Sequence, residues 1–198
     1  MEISISDIEA MGSDSLLFFG GAFEGGLDLQ QVPDEIAPCL NDILESGVKI
    51  KNFLEIGSAA GGCSVLFDQT FELKNIVIID DNQHPKHGLR YWNIKTIKCH
   101  VREFIGKSQT PAAIKFVKNL GIKFDIIMID AGHGYNETLA DVENYEPFLS
   151  EGGFILMHDI EIVDSVKQAF NEIKKEYKTK TYISKTKPIC GIGVLQRS

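Results

Sequence analysis

Carboxylates and imidazoles recur in this chain at the ends of apolar runs, and glycines crowd the first of those ends. Residues 52–67 read Asn-Phe-Leu-Glu-Ile-Gly-Ser-Ala-Ala-Gly-Gly-Cys-Ser-Val-Leu-Phe. Phe53 to Ile56 suit a buried strand, Gly57 to Gly62 a glycine-studded turn, and the residues that follow the start of a helix. Glycines let such a turn close tightly and bring its backbone near a ligand, while the unpaired N–H groups of the helix start point at that ligand. This is a cradle for a nucleotide-like molecule. More acids follow at comparable positions: Glu55 at the first strand, Asp80-Asp81 after Asn75-Ile-Val-Ile-Ile, Asp130 after Phe124-Asp-Ile-Ile-Met-Ile, and His158-Asp159 after Phe154-Ile-Leu-Met. Ligands of open parallel sheets bind beyond the carboxyl ends of the strands, so four strands deliver acids to one rim.

The elements that must hold this rim alternate along the chain. Val32-Pro-Asp-Glu opens a helix to about residue 46, with Pro33 and acids suited to its first turn and Gly47 to its end. Strand 53–56 and helix 62–70 follow, then strand 75–80, a continuous apolar run of the kind buried on both faces. A short helix is expected at 85–92 and a weaker strand at 93–100. Thr110-Pro-Ala-Ala starts a helix that ends at Gly121. Strand 124–130, a helix over 136–149, a Glu151-Gly-Gly turn and strand 154–159 come next. Ile162, Val163, Val166, Ala169, Phe170 and Ile173 fall at helical spacing within 161–177. Residues 180–186 and 191–196 read as strands joined through Lys187-Pro188, too short a link for a crossover, so the pair is antiparallel. The alternation specifies an α/β sandwich whose mostly parallel sheet carries an antiparallel last strand.

Composition narrows the function. A chain of 198 residues, 43% hydrophobic and 24% charged, suits a single domain over 1–198, with 1–48 as an N-terminal lid segment and helix. The formal charge of −8 argues against a nucleic-acid groove as the main surface. The late basic run (Lys174, Lys175, Lys178, Lys180, Lys185, Lys187) reads as a solvated helix end and strand edge. The N-terminus lacks the pattern of a signal peptide, and no run approaches the roughly 18 apolar residues of a membrane span, so the expectation is a cytoplasmic protein. Cys39, Cys63, Cys99 and Cys190 show no paired spacing and read as reduced core thiols. Leu16 to Leu27 mixes large apolar residues with four glycines; it suits an irregular core cover, a hinged lid, or packing on a second subunit in a homo-oligomer.

A nicotinamide dehydrogenase would need glycine where Ala59 stands in GxGxxG, and a terminal hairpin is foreign to that fold. Glu55-Ile-Gly57-Ser-Ala59-Ala-Gly61 instead resembles the first motif of the class I S-adenosylmethionine-dependent methyltransferases, with the middle glycine replaced. The resemblance covers about residues 50–198 and implies a Rossmann-like three-layer sandwich with seven strands. It implies a loop, Gly57-Ser58 to Gly61, under the methionine part of S-adenosyl-L-methionine, with Glu55 close by. Asp80 would accept from the ribose hydroxyls, or Asp81 if the strand ends one residue later. Gly106-Lys107-Ser108 resembles the loop that lines the adenine, although relatives often carry an acid where this chain has Lys107.

Ile129-Asp130-Ala-Gly-His133-Gly-Tyr135, Asp141, then Gly152-Gly153 and His158-Asp159 look like a small bacterial subgroup related to catechol-type and sugar O-methyltransferases and to cephalosporin-hydroxylase-like proteins. Glu24 to Gln31 is similar to their N-terminal segment, which helps close the cofactor pocket. In catechol-type relatives the acid ending the fourth strand and two residues ending the fifth hold magnesium, which here implies Asp130, His158 and Asp159. A histidine among these tilts the choice toward manganese. Asp130 and His133 are then the implied catalytic pair, His133 or His158 being a base near neutral pH. The function implied is O-methylation of a small hydroxylated acceptor, a sugar or natural product. The other reading is a methyltransferase-fold protein that binds cofactor without transferring methyl. A nucleic-acid methyltransferase is disfavoured by charge and by the missing Asn/Asp-Pro-Pro-aromatic motif. Trp92, Phe19 and Phe23 suit ring stacking or core equally well, and no residue names the acceptor.

Overall fold

The computed structural model describes residues 2–12, 26–186 and 189–197. Residues 16–25 of the segment 16–27 expected as a lid, with Phe19 and Phe23, and the Lys187-Pro188 link lie outside the described residues. The strands are β1 Asn52–Ile56, β2 Asn75–Asp80, β3 His100–Ile105, β4 Phe124–Ile129, β5 Leu149–Met157, β6 Lys178–Tyr182 and β7 Ile192–Gln196. They form a seven-stranded sheet in the order β3-β2-β1-β4-β5-β7-β6. The first five run parallel, and β7 is antiparallel to both β5 and β6. The helices are α1 Ile5–Ala10, α2 Pro33–Glu45, α3 Gly62–Thr70, α4 His87–Ile94, α5 Pro111–Asn119, α6 Tyr135–Tyr145 and α7 Asp164–Ile173.

Alternation along β1 shows why the sheet is buried on both faces. Phe53 packs into a core with Ile36 and Leu40 of α2 and Leu66 and Phe67 of α3. Its neighbours Leu54 and Ile56 enter a second core with Val117 of α5, Tyr145 of α6 and Phe170 of α7. Successive side chains point to opposite faces, so one short apolar strand serves two layers. Phe53 and Phe67 stack with ring centroids 4.2 Å apart. The N-terminal elements join the first layer: α1 carries a Ser4–Asp7 capping box, and Ile3 and Asn41 exchange two hydrogen bonds of 2.8 Å. Glu35 of α2 is buried and accepts the Ser184 and Gly191 N–H groups, tying this layer to the chain on either side of the hairpin turn.

Several boundaries differ from the sequence reading. The strand expected at 93–100 begins instead at His100, paired with Asn75, because α4 continues to Ile94. Asn93 belongs to the helix, where its amide donates to the Leu27 and Ala60 carbonyls. β3 is an edge strand with only Val101 and Phe104 turned inward, so its apolar signal is weak. The helix expected at 136–149 ends at Tyr145, followed by a 3-10 turn at Glu146–Phe148. Gly152 and Gly153 sit within β5 and not in a separate turn. The pairing of β4 with β5 shifts register between Phe124 and Ile126, and the glycines absorb that irregularity, Gly152 at φ 72°. The helix at 161–177 is shortened to α7 plus a 3-10 turn at Lys174–Glu176. No helix among the described residues is long and apolar enough to cross a membrane.

Candidate active site

The turn after β1 is held in left-handed backbone at three alternate residues: Gly57 (φ 84°), Ala59 (φ 45°) and Gly61 (φ 81°). Gly57 is there for space as well as angle, since a Cβ on it would stand 2.0 Å from the Asp130 carbonyl oxygen. Gly57→Ala is therefore expected to cost at least about 2 kcal/mol and to distort the crossing of β1 and β4. Thermal unfolding of the variant measures the loss; an unchanged midpoint would contradict the packing described. Ala59 occupies the angle that a dinucleotide fingerprint assigns to glycine, which strains an alanine but leaves the turn intact.

Two acids support this turn from beneath. Glu55 is buried, not on the open rim, and accepts the hydroxyls of Ser58 (2.6 Å) and Ser64 (2.5 Å). Burial pushes its carboxyl up to about 7, the serine hydrogen bonds offsetting part of the shift. Because the folded value lies above the unfolded one, this group's stabilisation is complete below about pH 4.5 and is lost as pH rises through 7, a change of about 3 kcal/mol. Glu55→Gln keeps an acceptor for both hydroxyls and removes the charge. The variant should lose most of that decline between pH 5 and pH 8 in chemical denaturation, and an unaltered slope would refute the assignment.

Asp80, at the end of β2, is 7% exposed and fully engaged. Oδ2 accepts the Ser58 and Ala59 N–H groups at 2.8 and 3.0 Å, while Oδ1 takes the Asn82 N–H at 2.8 Å and Arg90 Nη1 at 2.9 Å. Burial raises its carboxyl, but the loop N–H groups and Arg90 more than offset this and hold it below the usual range. Arg90 is itself buried, bonded to Glu103, the Ala59 carbonyl and the Asn82 side chain. Four partners fill the acceptor positions of one carboxylate. Asp81 is partly exposed and, like Asp80, lines the cavity; among the described residues its carboxylate accepts only the Gln83 N–H, at Oδ1.

The second group lies across the sheet, where β4 and β5 end. His133 Nε2 stands 3.0 Å from Asp159 Oδ2, and His158 Nδ1 lies 3.3 Å from Asp130 Oδ1 and 3.2 Å from Asp159 Oδ1. Gln31 Nε2 donates to Asp130 Oδ2 at 3.1 Å. Asp159 adopts φ 62°, unusual without glycine, and this aims its carboxylate between the two imidazoles. The Asp159 hydrogen bond raises the His133 imidazole against the opposing effect of burial. Burial would lower His158, yet Asp130 and Asp159 outweigh it and raise it well above the ordinary value. Asp159 is correspondingly held below the carboxylate range, its own burial being overcome by His133 and His158.

The same cluster brings together side chains able to ligate a metal ion. Asp130, His133 and Asp159 each offer a ligand atom within 4.8 Å of the others, and so do His158, Asp159 and Cys190. Both ring nitrogens of His158 are buried without a hydrogen bond of good geometry. These observations fit a bound divalent ion. The imidazole and carboxylate donors tilt the set from magnesium toward a softer divalent ion such as manganese, whereas use of the Cys190 thiol would suit zinc.

One cavity of about 410 Å³ joins the two groups, within the range of small-ligand sites. Gly57, Asp80 and Asp81 line one part, Lys107, Ser108 and Gln109 another, and Asp130, His133 and Asp159 a third. Lys107 is exposed and 3.9 Å from Glu137; Ser108 is buried, its carbonyl accepting the Tyr145 hydroxyl. Gly61 lies outside the cavity lining, against Arg90, and a Cβ there would stand 2.9 Å from Arg90 Cγ. Arg90 and Gln109 carry no signal in the sequence reading, Gln31 enters it only as the end of the Glu24–Gln31 segment, and Cys190 only as a core thiol. Each reaches the site from a separate part of the chain.

A glycine turn between strand and helix, an acid at the next strand end, and a sheet closed by an antiparallel β7 define a class I S-adenosylmethionine-dependent methyltransferase domain. Residues 54–160, more than half of the chain, match the family model described as Methyltransferase domain, and the chain belongs to that family. It is 26% identical over 114 residues to the uncharacterized protein R132 of Acanthamoeba polyphaga mimivirus, an overlap of 54% of this chain and 50% of that one. The matched stretch thus spans half the length of that curated relative. Among solved structures, an O-methyltransferase from Bacillus cereus in complex with SAH is 15% identical with a TM-score of 0.59, covering 83% of each chain. The O-methyltransferase TomG of Streptomyces achromogenes, in complex with SAM, is 13% identical with a TM-score of 0.63, over 82% of this chain and 81% of that one. The N-methyltransferase NodS of Bradyrhizobium japonicum WM9, with S-adenosyl-l-homocysteine, is 15% identical with a TM-score of 0.61, over 81% and 84%. These likenesses are of fold, which is shared by proteins named for oxygen and for nitrogen methylation.

Proposed function

We propose that this protein transfers the methyl group of S-adenosylmethionine to a hydroxyl of a small acceptor, a sugar or natural product. The observation that carries the reading is the continuity of one cavity from Gly57 and Ala59 of the glycine turn to the His133–Asp159 pair. The turn and Asp81 seat the donor, Asp81 rather than Asp80 accepting from the ribose hydroxyls because Asp80 has no acceptor position left. The segment just before α2 serves as cover, with Gln31 reaching Asp130. Bringing donor and acceptor into line supplies most of the acceleration, since the sulfonium is already reactive.

In the transfer, the acceptor oxygen attacks the methyl carbon as the carbon–sulfur bond breaks, and its electron pair returns to sulfur. The hydroxyl proton passes to His133. Asp159 holds Nε2 of that ring, which leaves Nδ1 as the basic atom and supports the imidazolium that forms. Asp130, His158 and Asp159 would hold a divalent ion, which lowers the pKa of a hydroxyl that binds it. Transfer of labelled methyl from S-adenosylmethionine to hydroxylated candidates, with oxygen-linked product, tests the reading. Cofactor binding without turnover on any acceptor would favour a binding protein of the same fold instead.

A further inference from the structure

Cys190 is a thiol of the cavity wall that the transfer chemistry leaves unused. It is buried, lines the cavity, and stands just before β7. Two backbone hydrogen bonds fix it beside the end of β5. Glu161 N–H donates to the Cys190 carbonyl at 2.8 Å, and Ile160 N–H to the Gly191 carbonyl at 3.3 Å. Gly191 adopts φ 81° and donates its own N–H to the buried Glu35 carboxylate at 2.8 Å. A Cβ on it would stand 2.9 Å from Glu161 Cγ, so the two segments pass in close contact. This packing brings the Cys190 thiol to His158 and Asp159, and one ligand atom of each lies within 4.8 Å of the other two. Among the described residues no other cysteine joins such a group.

The His158 side chain is only 4% exposed, and neither ring nitrogen has a hydrogen bond of good geometry among the described residues. Leaving such a group buried is costly unless another partner meets it. Asp159 divides its carboxylate: Oδ2 meets His133 Nε2 at 3.0 Å, while Oδ1 lies 3.2 Å from His158 Nδ1. Its backbone is held at φ 62°, strain of the kind that surrounding structure maintains at a functional group. Thiolate, imidazole and carboxylate are donors that zinc takes in four-coordinate geometry, whereas magnesium requires hard oxygens. We propose that Cys190, His158 and Asp159 form a zinc(II)-class site whose fourth position opens into the cavity, which all three residues line. Three protein ligands and one open position characterise zinc ions that take up a further ligand. This site shares His158 and Asp159 with the ion considered above and replaces Asp130 by sulfur. It requires no bound cofactor, so it stands or falls apart from the methyl-transfer reading.

The test is titration of the full chain, stripped of metal, with zinc, magnesium and cobalt(II). The wild-type protein should bind one zinc per chain and melt at a higher temperature with it, and magnesium at equal concentration should not displace the ion. Its cobalt complex should show a sulfur-to-cobalt charge-transfer band in the near ultraviolet. Cys190→Ser should lose that band and bind zinc at least about a hundredfold more weakly, since even an outer partner of a ligand is worth tenfold to a hundredfold. Cys99→Ser, which alters a thiol outside the cluster, should keep both properties. If Cys190→Ser fails to fold, the wild-type cobalt spectrum carries the test. A wild-type complex without the sulfur band, unchanged zinc affinity in Cys190→Ser, or equal loss in Cys99→Ser overturns the proposal. Titration of the same preparations with S-adenosylhomocysteine reads the cofactor claim separately.

Discussion

Asp80→Ala should destabilise the protein by about 3–5 kcal/mol, the cost of leaving a buried charge unpaired. The side chain of Arg90 is only 4% exposed, and Asp80 is one of its two carboxylate partners, Glu103 being the other and more exposed. The substitution also strips the acceptor from the Ser58, Ala59 and Asn82 N–H groups. The left-handed turn at 57–61 depends on those bonds, so cofactor affinity should fall with stability. Asp81→Ala is the control, because that carboxylate makes one backbone hydrogen bond and meets no buried cation. Its stability should stay within about 0.5 kcal/mol of the wild type. Urea denaturation of both variants reads the difference directly. An Asp80→Ala protein as stable as the Asp81→Ala protein would show that the acid of β2 is not what holds the turn.

His133→Ala should lower kcat by about 10²- to 10⁴-fold, the usual contribution of a positioned base. The ring is half exposed and its loss opens no cavity in either core, so unfolding and S-adenosylhomocysteine affinity should not change. The pH profile carries a second signature. Asp159 raises the imidazole above its ordinary value, and transfer needs the neutral ring, so wild-type kcat/KM should rise with pH through a point above 6.5. That limb should vanish in the variant. Full turnover by His133→Ala would remove the ring from the proton path and leave the role to another group of the rim.

The cradle was legible in the sequence because its parts are local. Strand, turn and helix over 52–70 were placed by apolar continuity and glycine spacing, and α3 falls at Gly62–Thr70 as expected. The antiparallel β7 followed from the shortness of its connection to β6. Signals failed where tertiary context decided. The limits of β3 come from pairing with β2 and from Asn93 reaching back to Leu27 and Ala60, neither visible in an edge strand of mixed composition. Glu55 reads as a rim acid in the sequence because strand periodicity gives direction but not depth. Burial places Glu55 beneath the turn, whereas Asp80 does line the cavity, its carboxylate held by Arg90 of α4 ten residues later. Cys190 joins His158 and Asp159 only because β7 lies beside β5, a long-range pairing.

Titration of the wild-type and Asp81→Ala proteins with S-adenosylhomocysteine tests most directly whether this cavity seats the methyl donor. We expect saturable binding of one molecule per chain to the wild type. A single lost ribose contact should weaken it by roughly tenfold to a hundredfold in Asp81→Ala, with the unfolding midpoint unmoved. Absence of binding to the wild type, or equal affinity in the two proteins, would contradict the site as described.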